Sequence, residues 1–361
     1  MRASFARRAP LLLAAAMLQA CSAEPDIPAA SDPAAAGEAA SQRIAVECTV
    51  DDDIDAELRG EIDARARALL QNLRDGKVDE VWDQLHPLAR DVGQREAFGE
   101  ALRAMRQRLA ATPGETQVQR IQLVKVSGGA NDLAKVECGA IDDPERFTLL
   151  VNAGDEDVAV AILRSTMGLA ETATTVQLRR RGDRWRLLGI QVNPSRYRGK
   201  SAAAYEIAAD VYMRQRKIIV GYLLLGLAQT LSDRGAAVES VMHDRIEEKI
   251  AAIQRDQLFE LDTGTWTLGE DRFDIEGVSL VATREDISPV IKYVSPQGLV
   301  QDLLDRDADK LIEEVRRRFP ELLKHFDAVV FEAYAEAPDE PGKSYEAFRK
   351  VRYLDPTQRP E

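Results

Sequence analysis

The chain has 361 residues and carries 61 acidic against 48 basic side chains, a formal net charge of −13 at pH 7. This excess of carboxylates disfavours nucleic-acid partners and broad adhesion to anionic lipid, because both need clustered lysine and arginine. The length exceeds what one apolar core usually serves, so we expect more than one folded domain.

The first twenty residues have the pattern of an export signal. Three arginines precede the apolar run 11–17, which is too short to span a bilayer. The run leads into Leu18-Gln19-Ala20-Cys21, which resembles the lipobox of bacterial lipoproteins. The resemblance implies cleavage before Cys21 and acyl chains on that cysteine. Because Ser22 follows, the family's sorting rule implies the outer membrane, facing the periplasm; the alternative is an ordinary secretory signal with an incidental cysteine.

Residues 21–45 are predicted to be the lipidated cysteine and a tether. They are rich in Ala, Pro, Ser and Glu and have almost no bulky apolar side chains, so they cannot offset the entropy of ordering. Such a segment would hold the folded part a few nanometres from the membrane. Without the arginines of residues 1–20, the mature chain has a formal net charge of −16.

Two cysteines remain once Cys21 is lipidated. Cys48 and Cys138 both lie in β-prone contexts, and export places them in an oxidising compartment. Only one pairing is then available, so we expect a disulfide between them. The alternative is two separate buried thiols.

Residues 46–196 are predicted to form the first domain. Apolar residues at helical spacing predict helices over 53–74, 78–85 and 94–110. Strands are predicted over 116–126, 133–140, 145–152, 157–164, 172–181 and 184–192. Three helices followed by an antiparallel meander indicate an α+β fold in which a curved sheet wraps the helices.

Three segments of this domain, ALLQNLRDGKVDEVWDQLHPLAR, REAFGEALRAM and VQLRRRGDRWRLLGIQVNP, resemble the NTF2-like superfamily, in particular its small exported domains of unknown function. The resemblance covers about residues 51–195 and implies a cone that encloses a pocket. Some members use Asp, Tyr or His inside the cone for catalysis, and others bind a small apolar ligand or pack against a partner. Fold alone does not decide between these uses.

The resemblance makes Trp82 and Trp185 the candidate pocket residues, with plain core packing as the alternative for both. His86 is a third candidate pocket residue, because we expect it to cap the second helix or to line the mouth of the cone. A single histidine is usually structural, so a ligand-binding or acid/base role is the less favoured interpretation.

The second half has no family resemblance that we recognise. Residues 197–261 are predicted to be a helical segment, with one long helix over 200–231 or two helices joined near Gly221, and a further helix over 236–259. The apolar stretch 218–228 is about half the length of a membrane span, which favours a buried core helix over membrane insertion. Residues 262–355 are predicted to form a small α+β domain with a hairpin, two further strands, a helix stopped by Pro320 and a final strand, and 356–361 a tail.

Motif searches give no catalytic residues, no metal site and no cofactor. The histidines His86, His243 and His325 have no second histidine or cysteine at metal-ligand spacing. The acidic run 305–309 lacks the glycine and the glutamate of a calcium loop, and we interpret it as part of a helix start. No serine-hydrolase elbow occurs either.

Three functional hypotheses follow. The first is a non-enzymatic lipoprotein that binds an envelope protein or a small apolar ligand near the outer membrane. The second is an enzyme with acidic or histidine residues inside the cone; a buried His86 bonded to a carboxylate and facing an open pocket would favour it, and an apolar-filled cone would count against it. The third is an envelope assembly factor that uses 218–228 as an exposed apolar helix.

Overall fold

The computed structural model describes residues 45–110, 112–127, 133–140, 146–152, 156–255, 264–282, 286–338 and 343–358. The export signal, Cys21 and nearly all of the predicted tether lie outside these ranges, so lipidation stays a prediction. The chain divides into two compact units. The first comprises residues up to 167, 171–193 and 234–241, and the second comprises 168–170, 194–233 and the residues from 242 onward.

The helices of the first unit precede most of its strands. They are α1 (Ala56–Arg74), α2 (Val78–Asp83), α3 (Pro87–Val92) and α4 (Arg95–Ala110). Helix α1 begins later than predicted because Asp51–Asp53 form a separate 3-10 turn. The Asp55 carboxylate then caps α1 by accepting hydrogen bonds from the Glu57 and Leu58 amides, both at 3.1 Å.

The first unit contains a curled antiparallel sheet. Its strands are β1 (Ala45–Val50), β2 (Thr116–Ser127), β5 (Val158–Met167), β6 (Ala170–Arg181) and β7 (Arg184–Tyr197). The two-residue edge strand β8 (Lys200–Ser201) is also part of this sheet, although residues from 194 to 233 are assigned to the second unit. This arrangement confirms the α+β class. A second sheet has the order β3 (Leu133–Cys138), β4 (Phe147–Asn152) and β9 (Val238–Ser240).

The curled sheet is apolar on both faces. On β5, Ala161 and Leu163 pack into the cluster formed with the helices, whereas Val160 and Ile162 pack into a second cluster with the three-stranded sheet. Alternate side chains of a strand point to opposite faces. The nearly continuous apolar run of β5 therefore reflects burial on both sides.

The predicted disulfide is confirmed. Cys48 lies on β1 and Cys138 ends β3, and the two sulfurs are bonded with the Cα atoms 5.6 Å apart. Cys138 is fully buried. The bond thus joins the two sheets of the first unit.

The second unit combines helices with a five-stranded mixed sheet. The helices are α5 (Ala202–Arg214), α6 (Ile218–Ser232), α7 (Val241–Arg255) and α8 (Gln301–Arg318). The sheet has the order β10 (Gly264–Leu268), β11 (Asp271–Ala282), β12 (Ile287–Val294), β13 (Ala328–Tyr334) and β14 (Ala347–Tyr353). Strands β12 and β13 are parallel because α8 forms the crossover between them.

The apolar stretch 218–228 lies in α6 at the centre of this unit. Ile219, Leu224 and Leu227 are almost fully buried, in one cluster with residues of α8 and of the sheet. Residues predicted as a helical segment (197–261) and as a C-terminal domain (262–355) therefore share one core. No helix among the described residues is long and apolar enough to cross a membrane.

Two helices, rather than one, occupy 202–232. The break falls at Arg216, which has φ 60°, and not at Gly221. Gly221 instead lies where α5 and α6 approach closely: a Cβ atom there would be 2.6 Å from Met213 Sδ and 3.3 Å from the Ala209 carbonyl oxygen. Gly221 therefore allows α5 and α6 to pack closely and does not mark the break between them.

Candidate functional site

The two candidate tryptophans pack into the apolar cluster between the helices and the curled sheet. Trp82 is half-buried on α2 and contacts Phe98 edge-on, with ring centroids 5.4 Å apart. Trp185 is nearly buried on β7, with the Arg180 guanidinium 5.9 Å from its ring centroid. Its indole Nε1 has no hydrogen-bond partner among the described residues. Both side chains thus contribute apolar area to the core.

His86 is held at the junction between α2 and α3. Its backbone amide donates to the Leu187 carbonyl oxygen of β7 at 2.7 Å. Its imidazole Nδ1 accepts a hydrogen bond from the Leu88 amide at 3.2 Å and so caps α3. The sequence predicted that His86 caps the second helix or lines the mouth of the cone. In the structure its side chain caps the start of the following helix, which was not predicted.

The other imidazole nitrogen faces a carboxylate. His86 Nε2 lies 3.1 Å from Glu156 Oε2, which also accepts a hydrogen bond from Arg179 Nε at 2.7 Å. Since Nδ1 accepts from a backbone amide, Nε2 carries the proton and donates to Glu156. Burial lowers the pKa of His86, the Glu156 charge opposes this effect, and Arg179 adds to it. The imidazole is therefore neutral with both nitrogens engaged.

Sequence reasoning missed Glu156 and Arg179. Glu156 is one of several acidic residues in the sequence between 155 and 157, and Arg179 begins the run Arg179-Arg180-Arg181, so neither position carried a signal of its own. The side chain of Arg179 is only 5% exposed, and its Nη1 has no hydrogen-bond partner among the described residues. The side chains of His86, Glu156 and Arg179 thus form a partly buried polar contact between the start of α3 and the sheet.

Apolar side chains form a buried cluster between the helices and the curled sheet of the first unit. The cluster is composed of leucines, isoleucines, valines and alanines from α1, α2, α4 and strands β2, β5, β6 and β7. Ile62, Leu69 and Leu178 are each fully buried there. Trp185 lies within this apolar cluster and Trp82 packs against it.

The other sequence candidates for metal or acid/base chemistry also have structural partners. His243 Nδ1 lies 3.0 Å from Ser232 Oγ, and His325 Nε2 lies 3.3 Å from Tyr212 OH. Asp305 and Asp309 lie on α8 and form ion pairs with Arg352. No cluster of three or more metal-ligating side chains occurs in the part of the chain that the structure describes.

The second unit contains an open groove of about 430 Å³, which the sequence analysis did not predict. It lies between α6, α7 and β11, all within this unit. Its apolar lining comes from Leu223, Gly226, Ile250, Ala251 and Leu280. This volume falls in the range of small-molecule sites, which are typically apolar with a few polar groups.

The polar lining of the groove is almost entirely uncharged. It consists of Tyr222, Gln229, Thr230, Gln254 and Ser279, with Glu247 as the one charged residue among the lining residues described. Gln254 Nε2 donates to Tyr222 OH at 3.2 Å, and Thr230 Oγ1 donates to the Gly226 carbonyl oxygen at 2.9 Å. The amide oxygens and hydroxyls can therefore hydrogen-bond a neutral polar group on a ligand.

Comparison with known proteins gives no functional lead: no family model, curated protein or solved structure matches the chain.

Proposed function

We propose that the chain is a periplasmic lipoprotein, anchored at the outer membrane through Cys21, that binds a small and largely apolar ligand in the groove between α6, α7 and β11. The groove carries this proposal, because it is a concave surface of suitable volume whose lining combines aliphatic side chains with hydroxyl and amide groups. The amides and hydroxyls of the lining suit hydrogen bonds to a neutral polar group of the ligand.

The anchor is supported by sequence alone. The lipobox Leu18-Gln19-Ala20-Cys21 follows a charged and then apolar leader, and the tether after it is poor in bulky apolar residues. The Cys48–Cys138 disulfide agrees with export, since such bonds persist in oxidising compartments.

The first unit is proposed to be an NTF2-like cone. The order of its elements supports this assignment, because helices α1 to α4 precede the long strands of a curled antiparallel sheet. Its interior is occupied by apolar side chains, so we assign ligand binding to the second unit and give the cone a structural or partner-contacting function.

The enzyme alternative would rest on His86 and Glu156. For His86 to accept a proton at Nδ1, its cap on α3 would have to break, because that nitrogen already accepts from the Leu88 amide. The assembly-factor alternative would require α6 to leave its core, since Ile219 and Leu224 are nearly fully buried. Each alternative would therefore require native contacts to break, whereas ligand binding in the groove would leave the native contacts in place.

Ligand binding is tested with the neutral apolar dye Nile red and a variant that fills the groove. Ala251 is exposed on α7 and lines the groove, so Ala251→Phe adds bulk there without disturbing the core. We expect the wild-type chain to bind the dye and Ala251→Phe to bind it at least about 10-fold more weakly. Glu248→Phe, exposed on the same helix and outside the groove lining, is the matched control and should bind like wild type. Equal binding by all three proteins would exclude the groove.

The anchor and a natural ligand are tested together by mass spectrometry of protein extracted from the envelope. A triacylated Cys21 and a stoichiometric small molecule that is lost in Ala251→Phe would support both parts of the proposal. A chain that is not cleaved before Cys21, or a Cys21 that carries no lipid, judged against a Cys21→Ala version, would contradict the anchor. Ligand binding in the groove would then be decided by the Nile red experiment alone.

A further inference from the structure

One surface of the second unit has a charge opposite to that of the chain as a whole. It starts at Leu169, whose side chain is 69% exposed. The Leu169 carbonyl oxygen accepts a hydrogen bond from the Gly199 amide at 2.8 Å, which places the exposed residues Arg198 and Lys200 beside it. An exposed leucine thus lies next to two cations.

The same surface continues to the end of the 3-10 turn Pro320–Lys324. Lys200 Nζ lies 5.7 Å from the centroid of the Tyr205 ring, and that ring contacts the imidazole of His325 with centroids 6.2 Å apart. Leu323 and Lys324, which precede this histidine, are both exposed. We call Leu169, Arg198, Lys200, Leu323 and Lys324 together the Leu169 surface.

The positive charges of Arg198, Lys200 and Lys324 all affect the imidazole of His325. Burial, followed by the charges of Lys200, Arg198 and Lys324, lowers the pKa of His325 to about 4. The positive charges are therefore close enough to His325 to act on it together, in agreement with the ring contacts. A cluster of this kind is unexpected on a mature chain with a formal net charge of −16.

The carboxylates around this surface offset part of its charge. Asp327 accepts a hydrogen bond from Arg198 at 3.0 Å, and Asp286 accepts from Tyr197 OH. Glu321 pairs with Lys217. Neither Lys200 nor Lys324 forms an ion pair within the described part of the chain. Lys200 and Lys324 are therefore the cations of the Leu169 surface that are available to an external anion.

We propose that the Leu169 surface contacts the anionic headgroups of a lipid bilayer, with Leu169 and Leu323 entering the interface and the cations binding lipid phosphates. Apolar side chains flanked by lysine and arginine suit such an interface, because burial of the first and attraction of the second add together. The acidic remainder of the chain is repelled by anionic lipid, so the contact also orients the second unit.

The proposed anchor at Cys21 would place the protein near a bilayer. This inference depends on the proposed function only for that location. If residues 21–45 form the flexible tether that the sequence predicts, its root-mean-square length would be roughly 25 Å, which would keep the folded part at the membrane. The surface chemistry itself is independent of the anchor and of the groove. Failure of lipid binding would leave the Nile red and Cys21 experiments unaffected.

The first test measures binding of the non-lipidated chain, Cys21→Ser, to vesicles. We expect it to bind vesicles that contain 30% phosphatidylglycerol and not vesicles of phosphatidylcholine alone, and we expect binding to weaken as salt is raised. Lys200→Glu with Lys324→Glu should reduce the partition coefficient at least about 10-fold. Leu169→Ser should reduce it several-fold while the salt dependence remains.

The control makes the same change in net charge elsewhere. Arg184→Glu with Arg272→Glu also replaces two exposed cations by two carboxylates, at side chains 74% and 72% exposed. Binding by this variant should stay within about 2-fold of wild type if the contact is local. An equal loss in both double variants would show a response to net charge only and would overturn the proposal.

The second test uses the lipidated protein in the same vesicles, where weak contacts are favoured by proximity. An environment-sensitive fluorophore is attached at Leu169→Cys and, as a control, at Val300→Cys, another exposed apolar position of the second unit. We expect a blue shift at position 169 in phosphatidylglycerol vesicles and none at position 300. The proposal is overturned if neither position responds, or if both respond equally.

Discussion

Cys48 and Cys138 connect two different sheets of the first unit. Cys48 pairs with Val124 in the curled sheet, and Cys138 pairs with Phe147 in the three-stranded sheet. The bond between the two sulfurs closes a loop of 90 residues that includes α1 to α4. It therefore constrains most of the first unit in the unfolded chain.

Removal of this bond should destabilise the first unit. Closing a loop of this length contributes about 4 kcal/mol on the chain-entropy estimate, so Cys48→Ala with Cys138→Ala should lower the free energy of unfolding by about that amount. Urea denaturation under non-reducing conditions measures the effect. Wild-type protein with the disulfide reduced should match the double variant, and an unchanged midpoint on reduction would contradict the prediction.

His325 should make the second unit sensitive to acid. Its pKa in the folded state is about 4, below the ordinary 6.5, mainly because it is buried. The unfolded chain therefore binds the proton first, so stability is complete above about pH 6.5 and is lost as the pH falls toward 4. His325→Phe should reduce the stability difference between pH 7 and 4.5 by roughly 2 kcal/mol. Tyr212→Phe removes only the hydrogen bond to His325 and should keep the pH dependence; denaturation at a series of pH values distinguishes the two.

Asp307 should weaken the second unit at neutral pH. It is fully buried, Oδ2 accepts a hydrogen bond from Ser295 Oγ at 3.0 Å, and Oδ1 has no partner among the described residues. Burial raises the pKa of Asp307, so the folded state favours the protonated form and stability is lost as the carboxyl ionises. We expect Asp307→Asn to raise the free energy of unfolding by about 1 kcal/mol at pH 7, with the gain disappearing near pH 3.8. A loss at pH 7 would mean that the charge is compensated.

Two helical glycines should respond oppositely to alanine. Gly60 lies inside α1 with nothing within 4 Å of a Cβ atom, so Gly60→Ala should stabilise the protein by about 1 kcal/mol through helix propensity. Gly221→Ala gains the same propensity but places its methyl group 2.6 Å from Met213 Sδ. We expect no gain or a net loss there, measured by urea denaturation of both variants. Equal stabilisation would show that Met213 moves away at little cost.

Periodic elements could be predicted from the sequence. The apolar spacing that predicts helices over 53–74 and 94–110 corresponds to α1 and α4, because each helix buries one continuous face. Helix α3 and strand β9 were missed, since they have six and three residues and are too short to show a period. The break between α5 and α6 was placed at Gly221 because glycine signals both chain breaks and close packing.

The candidate site could not be predicted in the same way. Gly226, Ile250 and Leu280 line the groove from three elements that are distant in sequence. An amphipathic pattern such as that of α7 indicates which face is buried but not where two packed elements leave a gap. The contact of His86 with Glu156 depends likewise on residues 70 positions apart.

Strand β9 limits how this protein can change during evolution. Residues 234–241 follow a long segment of the second unit, yet they belong to the first, where Val238 pairs with Leu149 of β4. No single recombination point in the gene can therefore excise either unit intact. A duplication or fusion that ended near residue 196 would carry a first unit with the β4 edge open to other chains. The two units are expected to be inherited as one block, although each has its own core.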